Sequence, residues 1–163
     1  MEMQQGGWLS AIEQSALGVF ARESVWLYPT ANVLHILALT AFAASVAMLD
    51  LRLLGAFRQT TPGLFLRRVR LFAAGALLAM LLTGSILFTA EATHVAANPV
   101  FRIKLALIGT ALVNALVFEL AMGRVVDRIP PGVATPFPAQ LSATISLALW
   151  FSVAAAGRLI AYF

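Results

Sequence analysis

The chain has 163 residues, of which 61% are hydrophobic and only 11% charged, and its mean hydropathy is +0.89. A soluble domain carries about 25% charged residues, so composition excludes an ordinary water-soluble protein and points to one compact membrane domain over residues 1–163. The absence of cysteine removes disulfides, iron–sulfur clusters and thiolate metal sites. The net charge of +4 reads as membrane topology rather than nucleic-acid binding, because the basic residues sit beside apolar runs.

The first residues, Met1-Glu2-Met3-Gln4-Gln5, have no basic start followed by an apolar core, and are read as something other than a cleavable signal peptide. Leu9, Ile12, Ala16, Leu17 and Phe20 then recur at helical spacing, with Ser10, Glu13 and Gln14 opposite and Trp8 and Trp26 at the ends. This predicts an amphipathic helix over about residues 8–22, either lying in the membrane interface or packed on the bundle.

A spanning helix needs about 20 apolar residues. Such stretches predict four spans at about 25–55, 67–97, 100–124 and 139–163. The expected fold is all-α, an integral membrane four-helix bundle with an N-terminal amphipathic interfacial helix. Thr60-Thr61-Pro62-Gly63 reads as the first turn, and Asn98-Pro99 breaks the chain between spans two and three. Ile129-Pro130-Pro131-Gly132 through Phe137-Pro138 separates the last two spans.

Arg52, Arg58, Arg67, Arg68, Arg70, Arg124 and Arg128 fall on one side of this topology, against Arg22, Arg102, Lys104 and Arg158 on the other. The positive-inside rule then predicts a bacterial inner-membrane protein with both termini in the periplasm.

The two histidines, His35 and His94, fall on different spans and both toward the outer side. Two helix-borne imidazoles can supply the axial nitrogens of haem b. Arg102, Lys104 and Arg158 come from the other two spans and would face the propionates. Ala31, Ala38, Gly84 and Ala90 would let a flat macrocycle approach the backbone, with Leu39, Phe42 and Leu87 as walls.

Helix arithmetic cuts across this picture. His35 lies about 22 Å from Asp50, and His94 about 36 Å from Arg70, so the two histidines reach one depth only if the inner helix ends are staggered. A bis-histidine haem, a haem with one histidine, and no cofactor all stay open. Histidines and small residues in membrane helices also serve plain packing.

Glu91 and His94 form a single Glu-x-x-His, half of a dimetal motif. Glu91 is expected to pair with Arg102, Lys104 or Arg158, or to hydrogen-bond His94. On the inner side Asp50 and Glu119 are expected to pair with Arg52, Arg70 or Arg124, forming an interhelical clamp rather than a proton route through Asn114. No G-x-S-x-G, P-loop or G-x-G-x-x-G is present.

Several strings carry a resemblance: Trp26-Leu27-Tyr28-Pro29, His35-Ile36-Leu37, Leu49-Asp50-Leu51-Arg52-Leu53-Leu54-Gly55, Thr83-Gly84, Phe88-Thr89-Ala90-Glu91-Ala92, Asn98-Pro99 and Arg102-Ile103-Lys104. Over about residues 25–125 they look like a family of small bacterial four-span inner-membrane proteins of unknown function. In outline the chain is also similar to four-helix b-type cytochromes of the b561 sort, which carry histidine pairs on bundle helices. That resemblance implies one bis-histidine haem at most, with His35 and His94 as iron ligands.

The expected function is single-electron transfer near the periplasmic face, with quinol or a periplasmic redox protein as partner. If the chain is an enzyme, it is an oxidoreductase-type cytochrome b. A haem or metal carrier and a cofactor-free assembly subunit of a membrane complex are the rival readings. The bilayer is the expected surrounding, with self-association allowed and nucleic acid not expected.

Overall fold

The computed structural model describes residues 5–57, 59 and 62–162. Arg58, Thr60 and Thr61 of the predicted first loop lie outside the described residues, as do Met1–Gln4. The described residues form helices and no strand. Two short helices, α1 (Gln5–Glu13) and α2 (Ala16–Glu23), precede α3 (Leu27–Leu53) and α4 (Pro62–Ala90). A six-residue helix α5 (Ala92–Ala97) leads into α6 (Pro99–Phe118), a π turn (Glu119–Gly123) and the short α7 (Arg124–Val126). The chain closes with α8 (Phe137–Leu159) and a 3-10 turn (Ile160–Tyr162).

Four helices are long and apolar enough to cross a membrane: Leu27–Leu53, Leu66–Ala90, Pro99–Asp127 and Phe137–Leu159. Between 6% and 22% of each span's apolar window is buried within the protein. The rest needs an apolar solvent, so the chain is a multi-pass protein of a lipid bilayer.

Local chemistry sets the helix ends. Gly55, at φ 108°, stops α3 in a Schellman motif: Ala56 N–H donates to Leu51 O at 2.8 Å and Gly55 N–H to Arg52 O at 3.2 Å. At the start of α6 the Asn98 side chain accepts from Val100 N–H at 2.9 Å, with Pro99 in the first turn.

The long helices stand in the spatial order α4–α3–α8–α6, because α3 packs on α4, α8 on α6, and α3 on α8. The inner faces are built from small residues. Ala31, Ala38, Phe42 and Ser45 recur on the buried face of α3, and Ala139, Ala143, Val153 and Ala156 on that of α8. Such faces let helix backbones approach closely where burial gives little driving force. The two outer helices of the row, α4 and α6, meet through side chains at both ends. Phe88 stacks on Phe101 at 5.7 Å, and Arg70 reaches Asp127 at 3.2 Å and Glu119 at 3.6 Å.

Two elements differ from the sequence expectation. The amphipathic segment is two helices: Ser15 caps a new start, its hydroxyl accepting from Gly18 N–H at 3.2 Å. The pair packs on the end of the bundle where α4 gives way to α5, against both helices. The second span ends at Ala90, where Glu91 adopts φ −141°, ψ 39°. His94 therefore belongs to α5 rather than to the spanning helix.

Candidate functional site

Polar side chains are costly within a membrane, so those turned into the bundle are the first candidates for function. His35 lies one helical turn from the buried Ala31 and nearly one turn from Ala38, so it shares their face toward α4. Thr83 on α4 is buried opposite it. Gly84 is needed there: a Cβ would stand 3.2 Å from His35 Cε1, so the glycine makes room for the imidazole itself rather than for a macrocycle.

The hydrogen-bond network assigns the imidazole proton. Thr83 has one hydroxyl proton, which it donates to Ala79 O at 2.7 Å. Its oxygen, 2.9 Å from His35 Nδ1, therefore accepts, and Nδ1 carries the hydrogen. The ring also lies within hydrogen-bond reach of the Met80 backbone. In the Nδ1–H tautomer Nε2 would carry the lone pair, the form in which histidine ligates a metal.

Lys104 is the cation that joins this level. It is half-buried in the second turn of α6, with Nζ 3.5 Å from where a Cβ on Gly157 of α8 would lie, and its charge acts on the His35 ring.

The other predicted site residues are placed elsewhere. His94 is exposed on α5, beyond the end of α4 and so at least about 10 Å further out than Thr83. Arg102 donates from Nε to Ala96 O at 3.1 Å. Arg158 donates to Tyr162 Oη at 3.0 Å and lies over its ring. Glu91 makes no ion pair among the described residues. It borders a cavity of about 300 Å³ with Arg22 and Tyr28, away from Arg102, Lys104 and Arg158. Its expected pairing with those cations is thus not found, because the helix break turns it toward α2 and α3.

Seven residues below His35 the interior is closed by Phe42, packed edge-on against Trp150 at 4.6 Å, with Ala73 and Ala76 alongside. Below this plug a second polar layer begins. Asp50, 6% exposed, faces Ser146 of α8, and its Oδ2 has no hydrogen-bond partner. Asn114 and Ser142 bond to each other through Nδ2 to the serine carbonyl at 3.1 Å and Oγ to Oδ1 at 3.2 Å. Among the described residues the expected ion pair of Asp50 with an arginine is not found. Glu119 does reach Arg70 as expected. Among the described residues no three His, Asp or Glu side chains converge in a metal-holding group.

A third polar group went unread in the sequence. Glu13 accepts from Thr93 N–H at 3.1 Å and from the Thr93 hydroxyl, and lies 3.5 Å from Arg22. Arg22 in turn donates to Ala90 O at 2.9 Å. The Thr93 hydrogen bonds, chiefly that of its side chain, hold the Glu13 carboxyl below its ordinary value of 4.5, with the Arg22 and His94 charges adding. A depressed carboxyl stabilises the docked state above the unfolded value, and that stabilisation disappears as pH falls through the folded value. The protection factor of the Thr93 amide, its exchange corrected for the intrinsic pH dependence, is expected to be high at neutral pH and to fall on acidification below about 4.5. Glu13→Gln should remove this pH dependence.

No curated protein and no solved structure matches the chain. Over residues 8–163 it matches the family of unknown function DUF6644, and it belongs to that family.

Proposed function

We propose that this protein binds haem b in the outer half of its bundle and passes single electrons near the periplasmic face of a bacterial inner membrane. The observation that carries the reading is the contact of 2.9 Å between His35 Nδ1 and Thr83 Oγ1 inside the bundle. It orients the ring and would leave Nε2 to ligate iron, at the level of a half-buried lysine. His35 would hold the haem iron through its imidazole, and Lys104 would face a propionate. The donor set fits one axial bond. The described residues bring no second imidazole to that depth, so a bis-histidine site within one chain does not fit. When bound, haem supplies a one-electron couple; the protein's part is to fix ligand, charge and depth.

Orientation rests on the arginines. Arg52, Arg67, Arg68, Arg70, Arg124 and Arg128 gather at the end of the bundle opposite α1 and α2, which supports both termini in the periplasm. Quinol in the membrane or a periplasmic protein would be the redox partner. The carrier reading uses the same site, and the distance of His94 favours it, since a single axial bond leaves haem more readily exchanged.

An absorption spectrum of protein purified after expression with haem supplied tests the proposal. The expected result is a Soret band with the broad visible bands of one axial ligand, shifted by carbon monoxide on reduction. A colourless protein would overturn it.

A further inference from the structure

A groove of about 550 Å³ lies at the outer end of the seam between α4 and α6. It is separate from the His35 level. Trp8 and Leu9 of α1 form one wall, the stacked Phe88 and Phe101 another, and Leu105 and Arg102 of α6 complete it. Its volume is in the range of ligand sites.

The groove sits at the depth where bilayer meets water. Arg102 and Leu105 fall in the first two turns of α6, and Trp8 is 60% exposed, as interfacial tryptophans are. Its walls are apolar while its rim carries a cation. The Arg102 guanidinium spends Nε on Ala96 O and has no carboxylate within ion-pair distance among the described residues. Neighbouring acids are committed elsewhere: Glu13 is held by Thr93 and Arg22, and Glu91 lies beside the cavity of α2 and α3. A trough for a hydrocarbon chain with an uncompensated guanidinium at its mouth suits an amphiphile with an anionic head. Arginine pairs phosphate through two parallel hydrogen bonds. A neutral quinone would fill the trough and leave the charge unmatched.

We propose that this groove is a binding site for one anionic phospholipid, its phosphate on Arg102 and an acyl chain along Phe88, Phe101 and Leu105. The site does not depend on the haem reading, since neither His35 nor Lys104 lines the groove. It also gives Arg102 a role that the sequence had assigned to a propionate. The Glu13–Thr93 and Arg22–Ala90 bonds hold α1 and α2 in place, so lipid binding and docking of the N-terminal helices should reinforce each other.

The test is native mass spectrometry of the full chain released from detergent supplemented with either phosphatidylglycerol or phosphatidylcholine. One phosphatidylglycerol per chain should be retained, preferred over phosphatidylcholine by about fivefold, the size of one arginine contact at an anionic membrane surface. R102Q should erase the preference and R102K should keep most of it. L105W, which fills the trough, should lower retention of both lipids with Arg102 intact. Equal retention of the two lipids by the wild type, or an unchanged preference in R102Q, would sink the proposal. So would displacement of the lipid by a neutral quinone whose binding is as tight in R102Q as in the wild type.

Discussion

His35→Ala is expected to abolish the Soret band of the purified protein, whereas His94→Ala leaves it unchanged. The asymmetry follows from placement. His35 is held within the bundle by Thr83 and Gly84, while His94 is exposed on α5 beyond the end of the spanning helix. On the proposed reading, removing the imidazole takes away the nitrogen that would hold the iron, so the effect is loss rather than weakening. The fold should survive. Thr83 keeps its bond to Ala79 O, and its hydroxyl oxygen loses one donor, at a cost of about 1 kcal/mol. Unchanged helicity and melting temperature in the colourless variant would assign the loss to ligation. Thr83→Val gives the graded companion result: the ring keeps Nε2 but loses the partner that orients it, which typically costs 10–100-fold in affinity, roughly, at metal-ligating histidines. Loss of the spectrum in both histidine variants would restore the bis-histidine arrangement that the structure does not assemble.

The four spans were readable because charge-free runs of bilayer length have few alternative folds. The Asn98-Pro99 boundary was readable because both residues act locally, one as a cap and one as a first-turn proline. The break at Glu91 was not. Neither Gly nor Pro stands in Thr89-Ala90-Glu91-Ala92, and the local sequence favours continuing the helix. The groups at the break are instead met from far away: Arg22 takes the Ala90 carbonyl and Glu13 takes Thr93 N–H, across 68 and 80 residues. No window of sequence carries that information.

The consequence for the site is direct. With the break, His94 and Glu91 leave the level of His35, while Lys104 stays with it and Arg102 turns to the Ala96 carbonyl. The depth arithmetic had already separated the two histidines, because rise per residue is a property of any helix. Thr83 could have been found from its spacing, since it lies seven residues from both Ala76 and Ala90 on the buried face of α4. Asp50 was legible as a candidate but not its partner, because serine at position 146 looks no different from the exposed Ser152 on the same helix.

The long-range clamp predicts the largest packing effect in the chain, at Gly18. A Cβ there would stand 2.5 Å from Glu13 O and 2.8 Å from both Ile12 O and Thr89 O. All three are backbone atoms, so no rotamer change relieves the contact, and α2 must move off α4. Gly18→Val is expected to destabilise docking of α1 and α2 by about 3 kcal/mol, the upper part of the usual overpacking range. The N-terminal segment should then become a substrate for limited proteolysis while the four spans remain protected. Gly75→Val and Gly109→Val are the controls, because a Cβ at either position meets nothing within 4 Å. They should melt with the wild type. Cleavage confined to residues before α3 in Gly18→Val, with the Soret band intact, would show that the N-terminal helices cover the bundle without building the His35 site. Loss of the band together with the clamp would instead mean that the break at Glu91 sets the depth of Thr83, seven residues before the end of α4 at Ala90, and that both ends of the second span move as one rigid element.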